Sequence, residues 1–135
     1  MQSRNLTKLL VVEDNLNDSY LLTHQIARAE IYDCVTVIDN GKEALDFLLS
    51  ASPPPLAVFL DLNLPGLGGI DLLKRIKKEP RLRDIPVIVM TGSVLPKDMD
   101  ECAKLGVAAY LPKPISLSTF LMTVAQWYPT FSTTT

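Results

Sequence analysis

Five short apolar runs punctuate the chain: Lys8–Val12, Cys34–Ile38, Leu56–Leu60, Ile85–Met90 and Val107–Tyr110. Each is nearly continuous in apolar character and does not alternate with polar positions. That is the pattern of strands covered by helices on both faces of a parallel sheet. Between the runs the apolar spacing becomes helical. Asp18–Glu30 carries Leu21, Leu22, Ile26 and Ala29 at helical intervals, and Lys42–Ser50 carries Ala44, Leu45, Leu48 and Leu49 on one face. Gly69–Lys78 turns Ile70, Leu73 and Ile76 inward, and Pro96–Leu105 and Ser116–Tyr128 complete the set. Turn chemistry separates the elements: an Asp/Asn-rich loop at Glu13–Asn17, Asp39-Asn40-Gly41, the Ser52-Pro53-Pro54-Pro55 break, a helix stop at Pro80 and a helix C-cap at Gly106.

Strict strand–helix alternation predicts an α/β domain built on a doubly wound, five-stranded parallel sheet with five helices. A strand order of 2-1-3-4-5 fits this element count. The expected domain covers residues 1–128, and the Ser/Thr-rich tail, residues 129–135, is expected to be frayed or only partly docked.

Composition narrows the field. At 135 residues the chain suits one domain, large enough to bury a core without disulfide or metal staples. Net charge is −2 with a sequence pI near 5.3, and no basic stripe stands out, which argues against direct nucleic-acid binding. No apolar run approaches bilayer length, and MQSRNLTK lacks a signal-peptide core, so the expected location is cytoplasmic, with no membrane partner. Cys34 and Cys102 form no CxxC pair and read as reduced structural thiols. His24, the only histidine, reads as a surface residue without a role.

The candidate chemistry lies where the apolar runs end. The first runs into Glu13-Asp14, the third into Asp61, the fourth into Thr91, and the fifth is followed by Pro112-Lys113-Pro114. Strand C-termini gather at one edge of a parallel sheet, where ligands bind. Three carboxylates clustered there repel, and a hard divalent cation relieves the repulsion. Mg²⁺ suits an all-oxygen set, and nothing nearby resembles a thiolate or imidazole site. An ionised Asp beside a cation can attack phosphorus and form an acyl phosphate. Lys113 would add positive charge, the Thr91 hydroxyl would hold an oxygen, and Gly92 leaves room for close approach. Taken singly, each residue has an ordinary reading: Asp14 and Asp61 as caps, Thr91 as a turn hydroxyl, Lys113 as a solvated charge. Their joint placement at separate strand ends carries the chemical reading.

Read together, the segments LLVVEDN (Leu9–Asn15), LAVFLDLNLPGLGGIDLLKRIK (Leu56–Lys77), IPVIVMTGS (Ile85–Ser93) and AAYLPKP (Ala108–Pro114) resemble the receiver domain of two-component response regulators. The resemblance runs from about Leu6 to Tyr128, and it favours the 2-1-3-4-5 order. It implies that Asp61 is the phosphoacceptor, taking a phosphoryl group from a histidine kinase. It implies Mg²⁺ as cofactor, with Asp14 a direct ligand, Glu13 acting largely through water, Asp61 itself a ligand and Asn63 giving its backbone carbonyl. Thr91 would hydrogen-bond the phosphoryl oxygen, Lys113 would pair with it, and the bond before Pro114 would be cis. Thr91 and Tyr110 match the switch positions. Gly92 stands where alanine is more usual, and Asn63 and Ser93 match positions that tune phosphoryl lifetime. The loop after Asp61 and Leu73–Lys78 are similar to small single-domain regulators paired with phytochrome-type kinases.

Such a chain is expected to be a signalling protein, catalysing only its own phosphorylation and slow dephosphorylation. Three alternatives are weaker. An aspartate-nucleophile phosphatase would need a second Asp where Asn63 stands. A pseudo-receiver would not keep Glu13, Asp14, Asp61, Thr91 and Lys113 together. A nucleotide or flavin binder would show a glycine-rich loop after the first strand. The length leaves no room for an output domain, so the expected output is a partner protein, a further phosphorelay step or altered self-association. On the last helix, Leu117, Phe120, Leu121, Val124, Trp127 and Tyr128 span a wide apolar arc, with Met122 off its main face. Two readings stay open: core packing, or a homodimer formed by this helix with Trp127, Tyr128 and Phe131.

Overall fold

The apolar runs become strands: β1 (Leu9–Val12), β2 (Val35–Ile38), β3 (Ala57–Asp61), β4 (Val87–Thr91) and β5 (Ala109–Pro112). The helices are α1 (Gly41–Ser50), α2 (Gly69–Lys78), α3 (Pro96–Lys104) and α4 (Leu117–Trp127). The structure, a computed structural model, describes residues 9–13, 35–64, 66–92, 95–113 and 115–127. The helix predicted over 18–30 lies outside the described residues, as do Cys34, His24, Ser93 and the tail. All strand pairs are parallel and the order is β2-β1-β3-β4-β5, as expected.

Three strands have boundaries that differ from the predicted ones. β3 and β4 extend to include Asp61 and Thr91, because Asp61 is in register with Met90 and Thr91 with Pro112. The last predicted strand sits two residues too early. Val107 N–H still bonds the Cys102 carbonyl at 3.3 Å, tying it to the end of α3, and the ladder opens only with Ala108 N–H to the Val87 carbonyl at 2.8 Å. Pro112 closes β5 at no cost to the sheet, since β5 is an edge strand. At the start of the fourth run, Ile85 N–H turns back to the Leu82 carbonyl at 3.0 Å, so the strand begins at Val87.

Side-chain alternation divides the core between the two faces of the sheet. Leu10, Val12, Val58, Leu60, Val87 and Val89 face Ala44 and Leu48 of α1, Leu72, Leu73 and Ile76 of α2, and Cys102 of α3. Leu9, Val11, Ala57, Phe59, Ile88 and Met90 face Phe120 of α4. The Phe59 and Phe120 rings lie 4.5 Å apart at 36°, and Cys102 is a buried free thiol. On α4, Phe120 is fully buried while Met122 is 71% exposed.

Both ends of α1 are held by side chains. Asn40 Oδ1 accepts from Glu43 N–H at 2.9 Å at the start of α1. The end of α1 is held from 30 residues away: Arg81 donates to the Leu49 carbonyl at 2.8 Å and the Ala51 carbonyl at 3.0 Å. Among the described residues, no helix is long and apolar enough to cross a membrane.

Candidate functional site

Four of the five strands deliver one polar group just as the apolar run ends. Glu13 follows β1 and its N–H bonds the Ile38 carbonyl at the end of β2, at 3.0 Å. Asp61 ends β3, Thr91 ends β4 and Lys113 follows β5. Lys113 N–H bonds the Thr91 carbonyl at 2.8 Å, which ties the last two together through the main chain. Glu13, Asp61 and Thr91 are 3%, 1% and 1% exposed, so these are interior polar groups, not surface ones.

The structure brings Glu13, Asp61 and Lys113 into direct contact. Lys113 Nζ lies 2.8 Å from Asp61 Oδ2 and 2.9 Å from Glu13 Oε1. Burial alone would lower the lysine pKa. The hydrogen bonds it donates to Asp61 and Glu13, and the charge of both carboxylates, outweigh that and hold it above its ordinary value. The other Asp61 oxygen, Oδ1, accepts the Asn63 N–H at 2.9 Å. Both oxygens of this carboxylate are therefore held, and its plane is fixed.

Thr91 and Tyr110 form a second pair. Tyr110 is half-buried and packs against the larger core cluster. Burial pushes its phenol pKa up, the nearby Cys102 and Asp98 add to this, and a side-chain hydrogen bond with Thr91 pulls the other way. The two groups of residues follow different strand parities. Glu13, Asp61 and Lys113 continue the alternation of Val11, Phe59 and Leu111, on the α4 side. Thr91 continues that of Val87 and Val89, and Tyr110 packs with them, on the α1–α3 side.

Of the other expected site residues, Gly92 is exposed, with open space where a Cβ would stand. Asn63 lies in the loop between β3 and α2. Asp14 and Pro114 lie outside the described residues. Among the described residues, no three acidic, histidine or cysteine side chains cluster. Glu13 and Asp61 nevertheless fit a hard cation: two buried carboxylates share one ammonium, so the three groups carry net negative charge.

Three features of the site escaped sequence reasoning. One is the bridge from Lys113 to Glu13, which spans 100 residues. Another is the Thr91–Tyr110 hydrogen bond. The third is the close approach of Gly41 and Gly69 to the loop after Asp61. The signal for the last was there to read: each glycine opens a helix, at positions where helix propensity alone would disfavour it.

Residues 9–125 match the family described as the response regulator receiver domain. A two-component response regulator of Oryza sativa subsp. japonica, ORR7, is 32% identical over 107 residues, which are 79% of this chain and 50% of the rice protein, so the chain spans about half of that relative. Among solved structures, the phosphorylated cyanobacterial phytochrome response regulator RcpA aligns with a TM-score of 0.79 at 30% identity, covering 93% of this chain and 96% of that one. The Mn²⁺-bound form of the response regulator Rcp1 aligns with a TM-score of 0.75 at 32% identity, covering 94% and 96%.

Proposed function

Because the chain belongs to the response-regulator receiver family, we propose that Asp61 accepts a phosphoryl group from the phosphohistidine of a histidine kinase, and that the acyl phosphate changes the surface the protein offers to partners. A carboxylate oxygen of Asp61 forms the new O–P bond as the P–N bond of the donor breaks. The imidazole nitrogen leaves with the electron pair and takes up a proton. Mg²⁺ held by Glu13, Asp14, Asp61 and the Asn63 carbonyl would neutralise charge on the phosphoryl oxygens. Lys113 supplies a fixed positive charge at the same point, and passes its hydrogen bond from Asp61 to the incoming group. The Thr91 hydroxyl and the open main chain at Gly92 take the remaining oxygens.

The observation that carries this reading is the part-buried Lys113 bridge between the buried Glu13 and Asp61, with Asn63 N–H fixing the second oxygen of Asp61. The Mn²⁺ in Rcp1 and the phosphorylated state of RcpA support the metal and the modification by likeness. The test is incubation with acetyl phosphate and Mg²⁺, followed by a search for a hydroxylamine-labile adduct. The expected result is one adduct on Asp61, absent in Asp61→Asn. Rapid turnover of phosphate esters would favour a phosphatase, and no adduct with no cation affinity would favour a pseudo-receiver.

The kinase partner proposed is of the phytochrome type, on the likeness to RcpA, and the setting is cytoplasmic. The switch follows from the hydroxyl pair. Thr91 bonds Tyr110 in the structure, and a phosphoryl group on Asp61 draws the Thr91 hydroxyl toward itself. Tyr110 then repacks, changing the face formed by α3, β5 and α4. The exposed Met122 supports a self-association face on α4, which light scattering on the eluting protein would settle.

A further inference from the structure

The loop that carries Asn63 is gripped at both ends by glycines. At its base, Gly69 N–H bonds the Leu62 carbonyl at 3.2 Å. A Cβ on Gly69 would lie 2.5 Å from Leu62 Cα, 2.6 Å from the Asp61 carbonyl oxygen and 2.8 Å from the Leu62 carbonyl oxygen. These are backbone atoms, so no side-chain rotation relieves the contact. At the far end, a Cβ on Gly41 would run into the Leu67 carbonyl oxygen and sit 3.2 Å from Leu67 Cβ. Gly41 is the first residue of α1 and is only three residues from Ile38, whose carbonyl accepts the Glu13 N–H. The start of α1 thus touches the loop after Asp61, while the strand leading into it holds the main chain of Glu13.

Gly68 provides the contrast. It is the N-cap of α2, at φ −67 and ψ 167, and a Cβ there meets nothing within 4 Å. The close approach is therefore specific to Gly69 and Gly41 and is not a general property of a glycine-rich loop. Neither residue occupies the left-handed region, so the reason for glycine at both is proximity and not backbone conformation.

We propose that Gly41 and Gly69 are positioning residues for phosphoryl transfer: by letting the starts of α1 and α2 close on the loop between β3 and α2, they set where Asn63 and its carbonyl stand relative to the Asp61 carboxylate and Glu13. The inference rests on the function proposed above. Asp61 is held on one side by Lys113 and on the other by Asn63 N–H, so a displaced loop carries Asn63 away from a carboxylate that cannot follow. A misplacement on the order of 1 Å can lower the rate of such a step by roughly a hundredfold.

The experiment compares Gly69→Ala, Gly41→Ala and Gly68→Ala with the wild-type chain. In the metal-free protein, the Asn63 amide resonance reports its hydrogen bond to Asp61. It is expected to shift in Gly69→Ala and Gly41→Ala and to hold in Gly68→Ala. Mg²⁺ affinity by calorimetry and adduct formation with acetyl phosphate are expected to fall about tenfold or more in the first two variants and to stay within about twofold in the third. Unchanged Asn63 resonance and Mg²⁺ affinity in folded Gly69→Ala and Gly41→Ala would overturn the proposal. So would loss of the folded state in both, which would assign the glycines to folding alone. Failure of the wild-type chain to form any adduct would instead strike the proposed function.

Discussion

Replacing Lys113 with Met removes the ammonium and keeps most of the apolar stem. Glu13 and Asp61, 3% and 1% exposed, then lose the cation that both contact within 3 Å. Removing one partner of a buried ion pair costs about 3–5 kcal/mol. A second route gives a ceiling: the variant can protonate one carboxyl, which at pH 7 and an ordinary pKa of about 4 costs about 4 kcal/mol. The two figures agree, and either is a large share of the roughly 5–15 kcal/mol that holds a domain folded. Because the escape route is protonation, the deficit should shrink in acid, by about 2.7 kcal/mol between pH 7 and pH 5. Mg²⁺ should also stabilise the variant more than the wild type, since it replaces the missing charge. Urea unfolding followed by circular dichroism, in EDTA and in Mg²⁺, at both pH values, measures all three effects. A deficit below about 1 kcal/mol in EDTA at pH 7, or one independent of pH, would refute the reasoning.

Phe120→Ala, which empties the space against Phe59, should cost about 3–5 kcal/mol in the same urea assay. A loss under about 1 kcal/mol would mean that α4 is not held by this contact. Lys113 and Tyr110 both have folded pKa values above their unfolded ones, about 10.4 and 10. Each therefore binds its proton more tightly when folded, so the stabilisation is complete below pH about 10 and is lost as pH rises through the folded values. Thermal melts from pH 7 to pH 11 should decline only in the upper part of that range, and Lys113→Met should flatten the decline. Tyr110→Ala should uncouple partner binding from phosphorylation while leaving adduct formation on Asp61 intact. Phosphorylation-dependent binding that survives the substitution would remove the tyrosine from the switch.

Much of the architecture was legible because apolar runs and helical spacing dominate local structure here. Leu9–Val12 and the α2 face of Leu73 and Ile76 could hardly be read otherwise. The predicted apolar runs stop one residue short of Asp61 and Thr91 because both are polar, yet the ladder continues through them: Asp61 is in register with Met90, and Thr91 with Pro112. Pro112 lies beyond the predicted end of the fifth strand, but an edge strand tolerates it, and its register comes from Thr91 on the neighbouring strand. The strand-end residues Glu13, Asp61 and Lys113 could be gathered at one edge from topology alone. That Lys113 joins the other two could not, because a chain of 135 residues does not announce a contact 100 positions apart. The Arg81 hold on the end of α1 was equally silent, since Leu49 and Ala51 take part only through their carbonyls.

The assignment of Lys113 and Tyr110 to opposite sides of the sheet limits which length changes this protein can survive. A single residue gained or lost between Tyr110 and Lys113 would bring the ammonium to the phenol's side of the sheet, stranding a charge among the apolar neighbours of Tyr110 and removing it from both carboxylates. An insertion at the exposed Ser52–Pro53 connection faces no such constraint, because the register of β3 is set by its two neighbours and not by the chain that leads into it. Drift in loop length should therefore collect at the pole of the molecule away from Asp61, and the short stretch before Lys113 should keep its length to the residue.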